Sequence, residues 1–246
     1  MARPDRDPVA AMESEYSLPV HWFPKTRIAA AGRREKQRLV MEMLRAFDHG
    51  QPIDHLDVGC GDGRWTADIK DRLRNPRRCC GVDRSRRAIG FATLIRPDID
   101  FQVAQGEQLP FEDDSFDLVS AVEVLEHVED GAEERFLAQI ARVLRPGGRL
   151  LLTTPSHLVP LPATHFRHYT QERLGQLIEG AGFEIAVWRG HGIPVGAAVW
   201  RLVLWCNEFP LLWKLGRFRY AEASPGRTAN HVLLARLSGT GGESAR

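Results

Sequence analysis

The chain has 246 residues, 43% of them hydrophobic and 26% charged, which suits one soluble α/β domain with additions. A formal charge of +1 excludes a whole-chain electrostatic argument for nucleic acid or membrane binding, leaving only local clusters such as Arg33, Arg34, Lys36 and Arg38. The four cysteines, at 60, 79, 80 and 206, have neither disulfide-framework nor zinc spacing, and the opening MARPDRDPVAAMES has no apolar stretch of the secretory kind, so a reducing, cytoplasmic setting is expected.

Residues 1–32 read as a disordered tail followed by an N-terminal cap segment, EYSLPVHWFPK, punctuated by Pro19 and Pro24. Its Tyr16, His21 and Trp22 either cap a pocket or pack on the domain edge, and the edge is preferred because aromatics are mostly core. From residue 33 to 47, Leu39, Val40, Met43, Leu44 and Phe47 recur at helical spacing, so this helix buries one face and turns a basic face outward.

The stretch HLDVGCGDGRWT then reads as a strand, a tight turn and a helix start. Glycines at 59, 61 and 63 permit positive φ and close approach of a ligand to the main chain. A dinucleotide fingerprint would need a glycine at position 64, where Arg64 stands, and no G-K-[ST] follows, which excludes a P-loop. The surviving reading is the other nucleoside-binding form of the crossover, whose loop cradles the amino-acid half of S-adenosylmethionine (SAM). Asp57 suits its ammonium group and would repel a phosphate.

Residues 64–73 are expected to be a helix ended by Asn75-Pro76, and CCGVD a second buried strand whose last residue, Asp83, lies 20 residues beyond Gly63. A carboxylate there accepts both ribose hydroxyls in Rossmann-like units. A helix over 88–94, a short strand over 101–103 and an apolar strand over 116–121 follow. EERFLAQIARVLRPGGRLLLTTP gives a helix, a Pro-Gly-Gly stop and a fifth strand over 149–153. Beyond the proline- and histidine-rich HLVPLPATHFRHYT, Thr170 caps a helix, FEIAVW is a sixth strand and NHVLLARL a seventh. Alternation of this kind predicts a parallel sheet with helices on both faces.

Through LDVGCGDG, GVD, QGEQLPFEDDSFDLVSAVEVLEHV, LRPGGRLLLTTP and the AGF-strand ending, the chain resembles the class I SAM-dependent methyltransferases over about residues 33–237, in particular their ubiquinone-pathway-like branch. The resemblance implies an α/β, Rossmann-like, seven-stranded mixed sheet with the last strand antiparallel, and SAM as cofactor. It places the methionine part on Asp57, Gly59, Gly61 and Gly63, the ribose on Asp83, and the adenine edge on Gln105 and Gly106. Relatives usually carry aspartate where Gln105 stands, yet an amide still accepts and donates there.

His127, His165 and His168 are the base candidates for a protonated acceptor, since imidazole titrates nearest neutrality. Glu123, Glu126 and His127 stand at i, i+3 and i+4, which on a helix would bring two carboxylates and an imidazole together; with His165 they resemble the divalent-metal set of small-RNA 2′-O-methyltransferases. The reading without a metal is favoured, with Glu123 and His127 lining the SAM pocket.

An apolar, aromatic-rich stretch at about 190–229 is interrupted by Arg201, Glu208 and Lys214, so it is expected to be a lid and not a membrane span, with peripheral membrane contact or a homodimer face as alternatives. Residues 238–246 read as a disordered tail. The expected activity is methyl transfer to a small-molecule or lipid-like acceptor at oxygen. C- or N-methylation, RNA 2′-O-methylation and non-catalytic SAM binding are the rivals, and nucleic acid is the least favoured partner.

Overall fold

The computed structural model describes residues 16–23, 27–194 and 222–238. The expected lid, apart from its two ends, and both expected tails lie outside those residues, residue 238 excepted. One mixed sheet runs in the order β3-β2-β1-β4-β5-β8-β6-β7. Its strands are β1 (Ile53–Val58), β2 (Pro76–Asp83), β3 (Asp100–Val103), β4 (Phe116–Val122), β5 (Leu144–Pro155), β6 (Phe183–His191), β7 (Glu222–Ala223) and β8 (Asn230–Leu237). Pairing is parallel from β3 through β5, and β8 inserts antiparallel between β5 and β6. This is the expected seven-stranded architecture plus one two-residue edge strand, β7, paired with Gly190 and His191.

The layers follow from the apolar periodicities. All six residues of β1 are buried, as a central strand covered on both faces requires. On one face, Leu39, Val40, Met43 and Leu44 of α1 (Arg27–Phe47) pack against Leu118, Leu151, Val232 and Leu234. On the other, Phe136, Leu137, Ile140 and Val143 of α4 (Glu133–Val143) and Leu174, Leu177 and Ile178 of α5 (Gln171–Gly180) meet Val119, Leu150, Leu152 and Leu233. Successive strand residues alternate between the two cores with period two. Cys60, Cys79 and Cys80 are buried and free, with burial raising all three thiols, so they act as small core residues.

Local signals place several boundaries. Thr170 caps α5 by accepting from the Arg173 amide at 3.1 Å, and Ser85 caps α3 (Arg86–Ile95) by accepting from the Ala88 amide at 3.1 Å. The helix after the glycine loop, α2 (Arg64–Lys70), is shorter than the sequence suggests, because β2 begins at Pro76, a strand-start position that proline tolerates. Helix α1 starts earlier than expected, taking residues 27–32 from the cap segment. Strand β5 already begins at Leu144 and carries the glycine pair through a register irregularity opposite Phe116 and Leu118.

EVLEH differs most from expectation, because it does not present one helical face. The Glu123 amide still donates to the Thr153 carbonyl (2.9 Å), extending the sheet ladder, and Glu123 itself takes φ +58°. Only Leu125–His127 is helical, as a single 3₁₀ turn, so Glu123 points elsewhere than Glu126 and His127.

Candidate functional site

Strand order changes direction between β1 and β4, and in open α/β sheets the crevice at the carboxyl ends of such strands is where ligands bind. A cavity of about 370 Å³ lies there, lined by Asp57, Gly59 to Asp62, Asp83, Val122 to Val124 and His127, with Arg33 and Lys36 from α1. Tyr16 and His21 close it from the N-terminal segment.

The glycine loop makes space more than it offers donors. Gly59 has φ +71°, and a Cβ there would stand 2.4 Å from a Val124 methyl; at Gly61 it would stand 2.4 Å from the Tyr16 hydroxyl. The amides of Gly59 and Cys60 donate to the Val82 carbonyl (2.8 and 2.9 Å), that of Gly61 to Asp83 Oδ2 (2.8 Å) and that of Gly63 to the Cys60 carbonyl (3.0 Å). A phosphate cradle needs such amides open to the ligand, so this loop is unlike one.

Asp57 is buried and accepts from Thr66 Oγ1 and Ser120 Oγ, each at 2.6 Å. Burial pushes its carboxyl up to about 6; the two hydroxyls oppose this and the Asp83 charge adds to it. Behind Ser120 stands His55, whose Nε2 lies 2.8 Å from Ser120 Oγ and whose pKa burial lowers to about 3. With Ser120 donating to an ionised Asp57, the neutral imidazole must donate from Nε2, which fixes its tautomer. Asp83 sits at the end of β2, buried, with Oδ1 taking the Ser85 amide at 2.8 Å.

Beside Asp83, a second small hollow is lined by Ala104, Gly106, Glu107, Val124, Val128 and Phe136. Gly106 belongs here because a Cβ would strike the Phe136 ring at 2.4 Å. Gln105 does not line either space. It is exposed on a tight turn closed by the Gln108 amide on its carbonyl (3.1 Å), between Ala104 and Gly106, which do line the hollow.

Of the three candidate histidines, only His127 is on the cavity wall; His165 stacks edge-on against it at 4.6 Å, and His168 lies behind His165 at 5.1 Å. The hydrogen bonds order their protons. His168 Nδ1 faces the Val159 carbonyl (3.1 Å), an obligate acceptor, so in neutral His168 Nε2 is the acceptor for His165 Nδ1–H at 2.8 Å. His127 Nδ1 likewise faces the Thr164 carbonyl at 3.1 Å. Neutral His127 and His165 therefore both keep an unprotonated Nε2. Burial, then His127 and His168, lower His165 to about 4, and burial lowers His168 as well.

Glu126, His127 and His165 each offer a ligand atom within 4.8 Å of the others. Glu123, the fourth residue of the expected metal set, is not among them: its carboxylate pairs with Lys36 Nζ at 3.0 Å and accepts from Thr153 Oγ1 at 2.7 Å. Burial would raise Glu123, but Lys36 and Thr153 outweigh it and hold it low. Glu126, buried and beside that charge, is pushed well up and accepts from Thr154 Oγ1 at 3.0 Å. Three of the four residues thus fit a divalent cation.

Sequence reasoning preferred the domain edge for the N-terminal aromatics, whereas Asp62 holds them over the loop: it accepts from the His21 amide (2.8 Å), faces His21 Nδ1 (3.1 Å), and its carbonyl accepts from Trp22 Nε1 (2.9 Å). Arg33, Lys36, His191 and Asn230 also line the cavity and were not singled out as site residues; no local motif marks them.

Comparisons with known proteins agree with this geometry. Residues 56–152 match the family model described as a methyltransferase domain. A protein of Mycolicibacterium smegmatis, named a probable S-adenosylmethionine-dependent methyltransferase, is 33% identical over 151 residues, 57% of this chain and 57% of that protein. The 27-O-demethylrifamycin SV methyltransferase of Amycolatopsis mediterranei is 39% identical over 114 residues, 44% of this chain and 40% of that one. This chain therefore spans about half the length of these curated relatives. Among solved structures, a SAM-dependent methyltransferase of Thermotoga maritima, described as a possible histamine N-methyltransferase, superposes with a TM-score of 0.63 at 18% identity, over 94% of this chain and 100% of that one, which shows the shared fold.

Proposed function

We propose that this chain, whose residues 56–152 match the methyltransferase-domain family model, is a class I SAM-dependent methyltransferase that moves the methyl group of SAM to an oxygen of a small-molecule or lipid-like acceptor. The observation that carries the proposal is a single cavity joining the buried carboxylate of Asp57 to His127, an imidazole whose proton is committed to Nδ1. Bound SAM would supply an electrophilic methyl on a sulfonium, so the protein has chiefly to align the acceptor and take its proton. Asp57 holds the ammonium and Asp83 the ribose, while the Tyr16–His21 strap shields the cavity. His127 Nε2 accepts the hydroxyl proton as the new bond forms.

Oxygen is preferred because a hydroxyl, unlike a carbanion or a free amine, needs such a base, and because the rifamycin relative bears an O-demethyl substrate in its name. Exposed Leu158, Leu161 and Ile193 flank the site residues His165 and His191 along the chain and support an apolar acceptor. They also support the peripheral membrane contact or homodimer face considered for residues 190–229; no described helix is long and apolar enough to cross a membrane. Calorimetry should give SAM and S-adenosylhomocysteine binding with a raised melting temperature and no NAD binding. Incubation with methyl-labelled SAM and extracts split into lipid, small-molecule and RNA pools should label the lipid or small-molecule pool. NAD binding without SAM binding overturns the reading, and label confined to RNA replaces its acceptor.

A second reading rests on the convergence of Glu126, His127 and His165, which would hold a divalent cation supplying Lewis-acid polarisation of the acceptor oxygen. The metal-free reading is preferred, since the Lys36 pair withdraws Glu123 and leaves three of the four expected ligands together. Turnover is expected to survive EDTA undiminished. A loss that manganese or magnesium restores would establish the second reading.

A further inference from the structure

We infer that the acceptor carries a second hydroxyl besides the one that is methylated, and that Asn230 and Glu123 hold it, which selects the oxygen presented to His127. The inference rests on the O-methyl transfer proposed above and narrows its substrate to a molecule with at least two hydroxyls. Along the carboxyl edge of the sheet, Glu123, directly after β4, divides the cavity wall. Asp57 and Asp83, which the cofactor reading uses, belong to β1 and β2 on one side; His191 and Asn230 belong to β6 and β8 on the other. The cofactor reading gives these last two no role, so their end of the space is left for the acceptor.

That end is built on fixed main chain. Asn230 and His191 are register partners on adjacent antiparallel strands. Thr228, fully buried, accepts from the Asn230 amide at 3.3 Å and donates to the Asn230 carbonyl at 2.7 Å. It fits there because residue 190 is glycine, where a Cβ would stand 2.7 Å from the Thr228 Cβ. These contacts use the main chain of Asn230 and leave its carboxamide without a hydrogen bond among the described residues. Glu123 is held through one oxygen: Lys36 Nζ (3.0 Å) and Thr153 Oγ1 (2.7 Å) both meet Oε1, and Oε2 has no hydrogen bond among the described residues. Its φ of +58° is a strained value of the sort retained where a side chain has to be aimed. One segment of β5 sets the two side chains at the same end of the cavity, since Thr153 holds Glu123 and Pro155, two residues on, is the register partner of Asn230.

Charge decides what fits. Lys36 neutralises Glu123 and a carboxamide is uncharged, so this end recruits neither an anion nor a cation, and either would give up its hydration without recompense. What remains is a carboxylate oxygen that only accepts and a carboxamide that can donate. A hydroxyl satisfies both, giving its proton to Glu123 Oε2 and accepting from Asn230 Nδ2. A carbonyl or an ether has no proton for Glu123.

The test uses the full chain, methyl-labelled SAM and whichever extract pool the wild-type chain labels. Distinctly labelled acetic anhydride should add to the purified methylated product at least one acetyl group that mild alkali releases, as it does from an ester of the remaining hydroxyl and not from an amide. Asn230→Ala should raise the amount of pool needed for half-maximal labelling about 2- to 10-fold, the factor for one neutral hydrogen bond. It should also add positional isomers of the labelled product, because the anchor chooses the oxygen that meets His127, and leave the SAM Kd unchanged. Asn230→Asp keeps the shape and removes the donor, so it should behave like Asn230→Ala, whereas a role in packing alone predicts wild-type behaviour. The inference is overturned by a product that takes up no alkali-released acetyl group, or by Asn230 variants with wild-type half-saturation and no new isomer; in both cases the methyltransferase reading stands. A wild-type chain that labels no pool overturns that reading, and this inference with it.

Discussion

Replacing Asp57 by asparagine is expected to weaken SAM binding about 10- to 100-fold at pH 7, the range for losing a hydrogen bond to a charged group, and to flatten the pH dependence of binding. The wild-type carboxyl titrates at about 6 in the empty cavity, raised by burial. An ammonium ligand needs the ionised form, of which only about a tenth is present at pH 5, so wild-type affinity should fall about tenfold between pH 7 and pH 5. The contribution of Asp57 to the stability of the unliganded protein should move the other way. A carboxyl whose folded-state pKa is raised binds more protons folded than unfolded, so it stabilises the fold as pH falls from about 6 towards the unfolded value near 4. His55 stays neutral down to about 3 and so leaves the binding slope alone. It opposes the stability trend, because the unfolded imidazole takes up a proton near 6.5 that the folded one refuses; only the comparison with the asparagine variant isolates the Asp57 part. Asp83 faces the same space and is shifted in the same direction, so the asparagine variant is what assigns the slope. Calorimetric titrations at the two pH values check this; an Asp57→Asn protein with wild-type affinity and an intact slope would remove Asp57 from the ligand.

His127→Ala should lower turnover about 10²- to 10⁴-fold, the usual contribution of a positioned base, with the SAM Kd nearly unchanged. His165→Ala and His168→Ala should be graded below it, because neither ring lines the cavity, His165 standing against His127 and His168 behind His165. His165 touches the base, whereas His168 acts one step further back, accepting the His165 proton while its own is held by the Val159 carbonyl. Single-turnover assays on the labelled acceptor fraction measure all three. A wild-type rate for His127→Ala would exclude it as the base, and a larger loss at His165 would move that role to His165.

The parts of this protein legible in its sequence are those governed by neighbours a few residues apart. Apolar spacing located α1, α4 and α5 and the buried strands; the Thr170 cap and positive φ at residues 59, 61 and 63 followed from side-chain chemistry alone. The order of elements, with a carboxylate ending each of two strands at Rossmann spacing, was enough to expect SAM. Residues whose role depends on what packs beside them were misread or missed. EVLEH has helical spacing, but the sheet ladder holds Glu123 to β5 and leaves only one 3₁₀ turn for Glu126 and His127. The close packing of Gly106, where a Cβ would meet the ring of Phe136, likewise depends on a helix formed well downstream.

Tertiary structure alone set Ser120 on Asp57, 63 residues away, paired Lys36 with Glu123, and drew the Tyr16–His21 segment over the loop through Asp62. Among the described residues it also left Arg33 without a partner on the cavity wall. The physical reason is common to all four. Local conformation depends on steric and hydrogen-bonding preferences that repeat every two to four residues, whereas the electrostatics of a cavity depend on which charges are already neutralised, and that is decided only when distant elements dock.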